Sequence, residues 1–121
     1  MAVILLMDDQ AGIREMLRET FVAVGHQFFA ATDGEQGLQL CNSHPPDIVI
    51  LDMFMPVKDG LETLQELRNQ RPGLKIIAIS GAPGGLGVLD MASKLGAQQV
   101  VRKPFTPGEI LSAVNKLLQA A

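Results

Sequence analysis

The sequence predicts a single α/β domain, a parallel sheet covered by helices on both faces. Three observations carry this expectation. Five short apolar runs with β-branched residues alternate with stretches of helical spacing. Proline and glycine punctuate the boundaries between them. The composition is that of one globular unit: 121 residues, 47% hydrophobic, one Cys, and 10 Lys and Arg against 13 Asp and Glu for a net charge of −3.

At this length a single core buries roughly two-thirds of the unfolded chain's surface, so neither a disulfide nor a structural metal is needed. Lone Cys41 cannot form an internal bridge. Without an even cysteine framework, or a basic segment before the apolar run at 3–7, the chain reads as cytoplasmic. No apolar run approaches the roughly 18 residues that cross a membrane. The slight acidity offers no footprint for direct nucleic-acid binding, which needs clustered Lys and Arg to displace counterions. Disorder is excluded by the high hydrophobicity and small net charge.

Taken in order, strands are expected over residues 2–7, 27–32, 47–51, 74–79 and 98–102, largely buried on both faces as in a parallel sheet. Ile13, Met16, Leu17, Phe21 and Val24 make the apolar stripe of a first helix, closed by Gly25. Pro45 and Pro46 close a second helix, which carries Cys41 as a small buried hydrophobe. Leu61, Leu64 and Leu67 mark a third helix, closed by Pro72 and Gly73, and Gly96 closes a fourth. Ile110, Leu111, Val114, Leu117 and Leu118 mark a fifth, with Thr106 as its N-cap and Pro107 at its first position. Right-handed crossovers place these helices on both faces of the sheet.

An open parallel sheet binds ligands at the carboxyl ends of its strands, where the strand order reverses. There the sequence places Asp8 and Asp9 after the first strand, Asp52 at the third, Ser80 at the fourth and Lys103 at the fifth. Three gathered carboxylates repel one another and raise their pKa values unless a cation joins them. Their hard oxygens favour magnesium or a similar divalent ion such as manganese, which takes one or two direct carboxylates plus a phosphate. Lys103 supplies a point charge for a phosphoryl oxygen, the Ser80 hydroxyl a donor, and a carboxylate can attack phosphorus.

This constellation resembles the response-regulator receiver domain of two-component signalling, over essentially the whole chain, 1–121. The residues that carry the resemblance are Asp8-Asp9, Asp52 within Leu-Asp-Met-Phe-Met-Pro-Val-Lys-Asp-Gly at 51–60, Ser80-Gly81-Ala82, and Lys103-Pro104-Phe105. Each motif is weak alone; all four in order, each at a strand end, are specific. The resemblance implies a doubly wound five-stranded parallel sheet of order 2-1-3-4-5 with five helices, the flavodoxin-like receiver fold. It implies that Asp52 is the phosphoacceptor and that Asp9, Asp8 through water, Asp52 and the backbone carbonyl of Phe54 surround a magnesium or manganese ion. Ser80 would be the switch hydroxyl and Lys103 its counter-charge, with a cis peptide before Pro104.

Two positions depart from the family pattern. Val100 stands where an aromatic switch residue is usual. Residues 81–87 are glycine-rich at the start of the fourth helix, where each glycine costs about 1 kcal/mol against alanine, so that segment is expected to be mobile or unwound.

Simpler roles suffice for other residues. Asp59, before Gly60, reads as a turn or helix-start residue, and Met16, Met53, Met55 and Met91 as core or rim packing. His26 and His44 lack metal-ligand spacing. The glycine-rich loop lacks the Gly-Lys-Ser/Thr ending of a phosphate cradle, and Asp90 stands where G-x-G-x-x-G needs its last glycine.

The leading expectation is a phosphorylatable switch, not an enzyme in the ordinary sense. It would be charged by a sensor histidine kinase or histidine phosphotransfer protein and would signal through the surface of the fourth helix, fifth strand and fifth helix to an output partner or effector domain. A phosphorylation-dependent homodimer through that face is one form of output. The alternative is a receiver-like module that binds partners without phosphorylation. A flavodoxin-like cofactor binder is disfavoured by the absence of Trp and Tyr, and an aspartyl phosphatase by Phe54 two places after the nucleophile. Both a stand-alone regulator and a segment of a longer effector protein fit the sequence.

Overall fold

Each apolar run becomes a strand and each amphipathic stretch a helix. The computed structural model describes residues 1–55, 57–81 and 86–119. In order the elements are β1 (Val3–Met7), α1 (Ala11–Ala23), β2 (Gln27–Ala31), α2 (Gly34–Ser43), β3 (Ile48–Asp52), α3 (Gly60–Gln70), β4 (Lys75–Ser80), α4 (Leu86–Lys94), β5 (Gln99–Arg102) and α5 (Pro107–Gln119). All strand pairings are parallel, in the order β2-β1-β3-β4-β5.

Alternation along the central strands divides the core in two. Ile4, Leu6, Ile48, Ile50, Ile77 and Ile79 face α1 and α5, meeting Leu17, Phe21, Ile110, Val114 and Leu117. Leu5, Met7, Val49, Leu51, Ile76 and Ala78 face the other way, toward Cys41 of α2, Leu64 and Leu67 of α3, and Leu89 and Ala92 of α4. Because both faces are covered, β1, β3 and β4 read as continuous apolar runs instead of alternating ones.

The outer strands differ from the expectation of two buried faces. Gln99–Arg102 alternates between half-buried and exposed, and Val100 is 42% exposed. β5 is an edge strand with a neighbour on one side only. Strands β3 and β4 also run one residue further than the apolar pattern indicates. Asp52 pairs with Ile79, and Ser80 with Arg102, so both polar residues belong to the ladder.

Helix boundaries follow their local chemistry. Gly25 and Gly96 adopt φ of +90° and +114°, left-handed values that favour glycine after a helix. Thr106 and Glu109 form a reciprocal capping box at the start of α5: Glu109 N donates to Thr106 Oγ1 at 3.2 Å and Thr106 N to Glu109 Oε1 at 3.0 Å. Asp59 caps α3, its side chain accepting from Glu62 N at 2.8 Å. Val24 leaves the expected stripe: α1 stops at Ala23, and Val24, its C-cap, is 54% exposed. Met91 is likewise half exposed, whereas Met53 is buried and Met16 and Met55 pack against the core. Of the glycine-rich segment, residues 82–85 lie outside the described residues; Leu86 to Val88 form the first turn of α4 and are not unwound.

Arg68, which the sequence pattern does not single out, ties the amino edge of the sheet together. Its guanidinium donates to the carbonyls of Pro72, Leu74 and Gly96, each at 2.7 Å, joining the end of α3 to the starts of β4 and β5. Gln98 completes the junction by accepting from Ile76 N at 2.8 Å. Substituting Arg68→Met keeps most of the alkyl volume but strips these carbonyls of their donors. Urea unfolding of that variant should show a loss of about 2 kcal/mol with an unchanged m-value.

Candidate functional site

The strand order decides which side chains meet. β1 leads outward to β2 on one side, while β3, β4 and β5 extend on the other, so the reversal falls between β1 and β3. Met7 lies beside Leu51 in the ladder, which carries Asp8 next to Asp52. Lys103 N donates to Ser80 O at 2.9 Å, extending the β4–β5 pairing by one residue and bringing Lys103 to the same edge. The Lys103–Pro104 peptide is cis.

The side chains converge tightly. Asp8, Asp9 and Asp52 each present a carboxylate oxygen within 4.8 Å of the others. Asp8 is fully buried, Asp52 is 4% exposed, and Asp9 is exposed. Lys103 Nζ lies 2.8 Å from Asp8 Oδ2 and 3.4 Å from Asp52 Oδ2. The contact with Asp8 is a buried ion pair whose geometry falls short of hydrogen-bond alignment. The other oxygens are held by the backbone: Gln10 N donates to Asp8 Oδ1 at 2.9 Å, and Phe54 N to Asp52 Oδ1 at 3.1 Å.

Ser80 is 2% exposed, and its hydroxyl has no hydrogen-bond partner among the described residues. A buried hydroxyl without a partner costs free energy, and such groups are retained where a ligand or conformational change satisfies them. An open cleft of about 540 Å³ stands over these groups, lined by Asp9, Gln10, Ile13, Asp52, Phe54, Gly81, Lys103 and Pro104.

Two glycines permit the close approach of backbone that the site requires. A Cβ on Gly60 would lie 2.7 Å from the carbonyl oxygen of Asp52, and one on Gly81 would lie 2.9 Å from Lys103 Cβ. The loop after β3 departs from easy backbone geometry at Val57, whose φ of +69° is unusual for a β-branched residue.

Asp52 has its pKa raised to about 6. Burial is the main cause, opposed by the hydrogen bond from Phe54 N; the charge of Asp8 raises it further and Lys103 opposes the rise. Loss of hydration thus outweighs the mutual repulsion that the strand-end pattern leads one to expect. At neutral pH the carboxyl is still mostly ionised.

The donor set suits a hard divalent cation. It offers three carboxylates with oxygens close together, two of them buried, beside a cleft open to solvent. Asp8, Asp9, Asp52, Ser80 and Lys103 are therefore all brought to one edge, Phe54 follows the strand two residues later, and Val100 lies apart on the exposed side of β5. Sequence reasoning missed Gln10, whose Oε1 accepts from Lys103 Nζ at 2.9 Å, and Arg14, which donates to the Asp8 carbonyl at 3.0 Å. Neither contact has a local sequence signal; the first spans 93 positions.

Comparison with known proteins agrees with this geometry. Residues 4–115 match the response regulator receiver domain family. The sporulation initiation phosphotransferase F of Bacillus subtilis is 39% identical over 115 residues, covering 95% of this chain and 92% of that protein. The chemotaxis protein CheY of Thermotoga maritima is 33% identical, covering 94% of this chain and 95% of its own length. Other relatives are longer: a probable transcriptional regulator, ycf27, of Porphyridium aerugineum is 33% identical, but the match spans 48% of it. Among solved structures, the receiver domain of NtrX from Brucella abortus superposes with a TM-score of 0.92 at 29% identity, covering 98% of this chain and 99% of that one. The chain belongs to the response regulator receiver domain family.

Two outcomes follow from the site's energetics. Because the folded-state pKa of Asp52 lies above its ordinary value of 3.8, the protonated carboxyl is favoured on folding. Its contribution to stability is present below about pH 4 and is lost as pH rises through about 6. Without divalent ions, Asp52→Asn should therefore raise stability by about 2 kcal/mol at pH 7.5 and bring no gain at pH 4, read from urea melts at each pH. Val57→Gly should add about 1 kcal/mol in the same assay, since glycine tolerates the positive φ.

Proposed function

We propose that the chain is a phosphorylatable switch that receives a phosphoryl group on Asp52 from a sensor histidine kinase or histidine phosphotransfer protein. The observation that carries this reading is the convergence on Asp52 of two further carboxylates, a lysine ammonium and an unpartnered buried hydroxyl beneath an open cleft. The similarity to a Bacillus subtilis phosphotransferase supports it.

In the transfer, an oxygen of Asp52 forms a bond to phosphorus as the bond from phosphorus to the donor's imidazole nitrogen breaks, the electron pair leaving with the nitrogen. Asp8, Asp9, Asp52 and the carbonyl of Phe54 would hold magnesium or manganese. The bound ion would offset the negative charge gathered between carboxylates and phosphoryl oxygens. Lys103 lies beside the acceptor to pair with a phosphoryl oxygen, and the free hydroxyl of Ser80 can donate to another. Burial of Asp52 strengthens each of these interactions. The domain would promote only its own phosphorylation and dephosphorylation, with no separate substrate.

Output would follow from Ser80 and Lys103 being drawn to the new charge, which biases the face made by α4, β5 and α5. On that face Met91 is 50% and Val100 42% exposed, apolar surface suited to a protein partner or effector domain. With a valine in the usual aromatic position, the response at β5 rests on backbone movement between Ser80 and Lys103, whose main chains are bonded to each other. No helix among the described residues is long and apolar enough to cross a membrane, and the reading places the protein in the cytoplasm with the kinases that would charge it.

The test is intact mass after incubation with acetyl phosphate, with and without magnesium, beside Asp52→Asn. A single phosphoryl adduct that requires magnesium and is absent from the variant is expected. A wild-type chain that stays unmodified under all conditions would instead favour a module that binds partners without phosphorylation.

A further inference from the structure

We propose that Gln10 is a positioning residue for phosphoryl transfer: its amide carbonyl, together with the Asp8 carboxylate, holds the Lys103 ammonium back from a close pair with Asp52 until a phosphoryl group arrives. The inference rests on the reading of Asp52 as phosphoacceptor.

The distances define the resting state. Lys103 Nζ is 2.9 Å from Gln10 Oε1, the distance of a strong charge-assisted hydrogen bond, and 3.4 Å from Asp52 Oδ2, well beyond it. Its approach to Asp8 Oδ2, at 2.8 Å, supplies charge without hydrogen-bond alignment. The shortest aligned hydrogen bond of this ammonium therefore goes to a neutral amide, beside its ion pair with Asp8 and a longer bond to Asp52.

The choice of residue at position 10 has no explanation within its own helix. Gln10 is the N-cap of α1, yet its side chain makes no capping bond, and glutamine is not among the residues preferred there. The side chain instead reaches across the cleft to Lys103, while the Gln10 backbone N–H fixes Asp8 Oδ1 at 2.9 Å. One residue thus contacts the buried acid and the ammonium, and it lines the cleft through which a donor approaches.

The chemical consequence concerns the nucleophile. An ammonium in a close pair with Asp52 Oδ2 would occupy a lone pair needed for attack on phosphorus and would lower the nucleophilicity of that oxygen. Gln10 Oε1 relieves this by sharing the ammonium. Once the acyl phosphate forms, its oxygens carry charge that an amide carbonyl lacks, so Lys103 transfers to the phosphoryl group and releases Gln10. The start of α1 is thereby linked to the state of Asp52 through a single exchangeable hydrogen bond.

Gln10→Met keeps the length of the side chain and removes the acceptor; Gln10→Glu keeps an acceptor at the same reach. With acetyl phosphate and magnesium, Gln10→Met should acquire the phosphoryl adduct about 3–10-fold more slowly than wild type, as expected for the loss of one hydrogen bond at the reacting centre. Its magnesium affinity by calorimetry and its melting temperature should stay close to wild type. The Lys103 ammonium signal in ¹⁵N NMR of the unphosphorylated protein should exchange slowly in wild type and Gln10→Glu, and measurably faster in Gln10→Met. Wild-type phosphorylation kinetics in Gln10→Met, an unchanged Lys103 signal, or a slowing matched by an equal loss of magnesium affinity would each overturn the proposal while leaving the phosphoacceptor reading intact. Failure of the wild-type chain itself to form the adduct would overturn both.

Discussion

Two carboxylates nearly out of water, Asp8 and Asp52, share one end of this sheet, and the rest of the site is arranged around that constraint. Isolated burial of either charge would cost several kcal/mol. Lys103 offsets part of that cost from 2.8 and 3.4 Å, and backbone N–H groups of Gln10 and Phe54 bind the remaining oxygens. The balance is incomplete, as the raised pKa of Asp52 records. An acidic site left short of positive charge is one whose balance a divalent cation can complete.

The two edges of the sheet contrast in this respect. At the amino edge, side chains satisfy main-chain groups that the ladder leaves over: His26 Nδ1 accepts from Ala2 N at 2.9 Å, Asp47 Oδ2 from Val3 N at 2.7 Å, and Arg68 and Gln98 serve β4 and β5. Among the described residues, Arg68 Nε alone is left buried without a hydrogen bond there, whereas at the carboxyl edge Ser80 Oγ has none and Asp8 Oδ2 is held only by its ion pair with Lys103. Folding energy is gathered at one end and in the two core layers, and the other end keeps polar groups in reserve. Groups already satisfied gain nothing from a new ligand, so a ligand gains most at the carboxyl end.

The relatives share this frame while differing in length, some close to this chain's size and some about twice it. Around the buried charges lies a rim of exposed side chains. Phe54 is 47% and Val57 79% exposed on the loop after β3, Gln10 engages Lys103, and Val100 leaves the edge strand without an aromatic side chain. Side chains at the rim can set rates and partner choice without disturbing the buried charges beneath them.

The sequence by itself determined the class of fold, the ten elements and the five polar residues at the strand ends, because these depend on hydrophobic period, turn chemistry and order along the chain. Asp59 as a helix cap, Thr106 with Pro107 at the start of α5, and Cys41 as a buried packing residue were legible for the same reason. Only the tertiary structure decided what depends on long-range approach. The contact between Gln10 and Lys103 joins residues 93 apart, and the Arg68 bond to Gly96 spans 28. That burial more than repulsion raises the Asp52 pKa depends on how completely the helices cover the sheet. The exposure of Val24 and Val100 has the same origin, since whether a helix end or one face of an edge strand is covered depends on which elements pack there, not on its place in the sequence pattern.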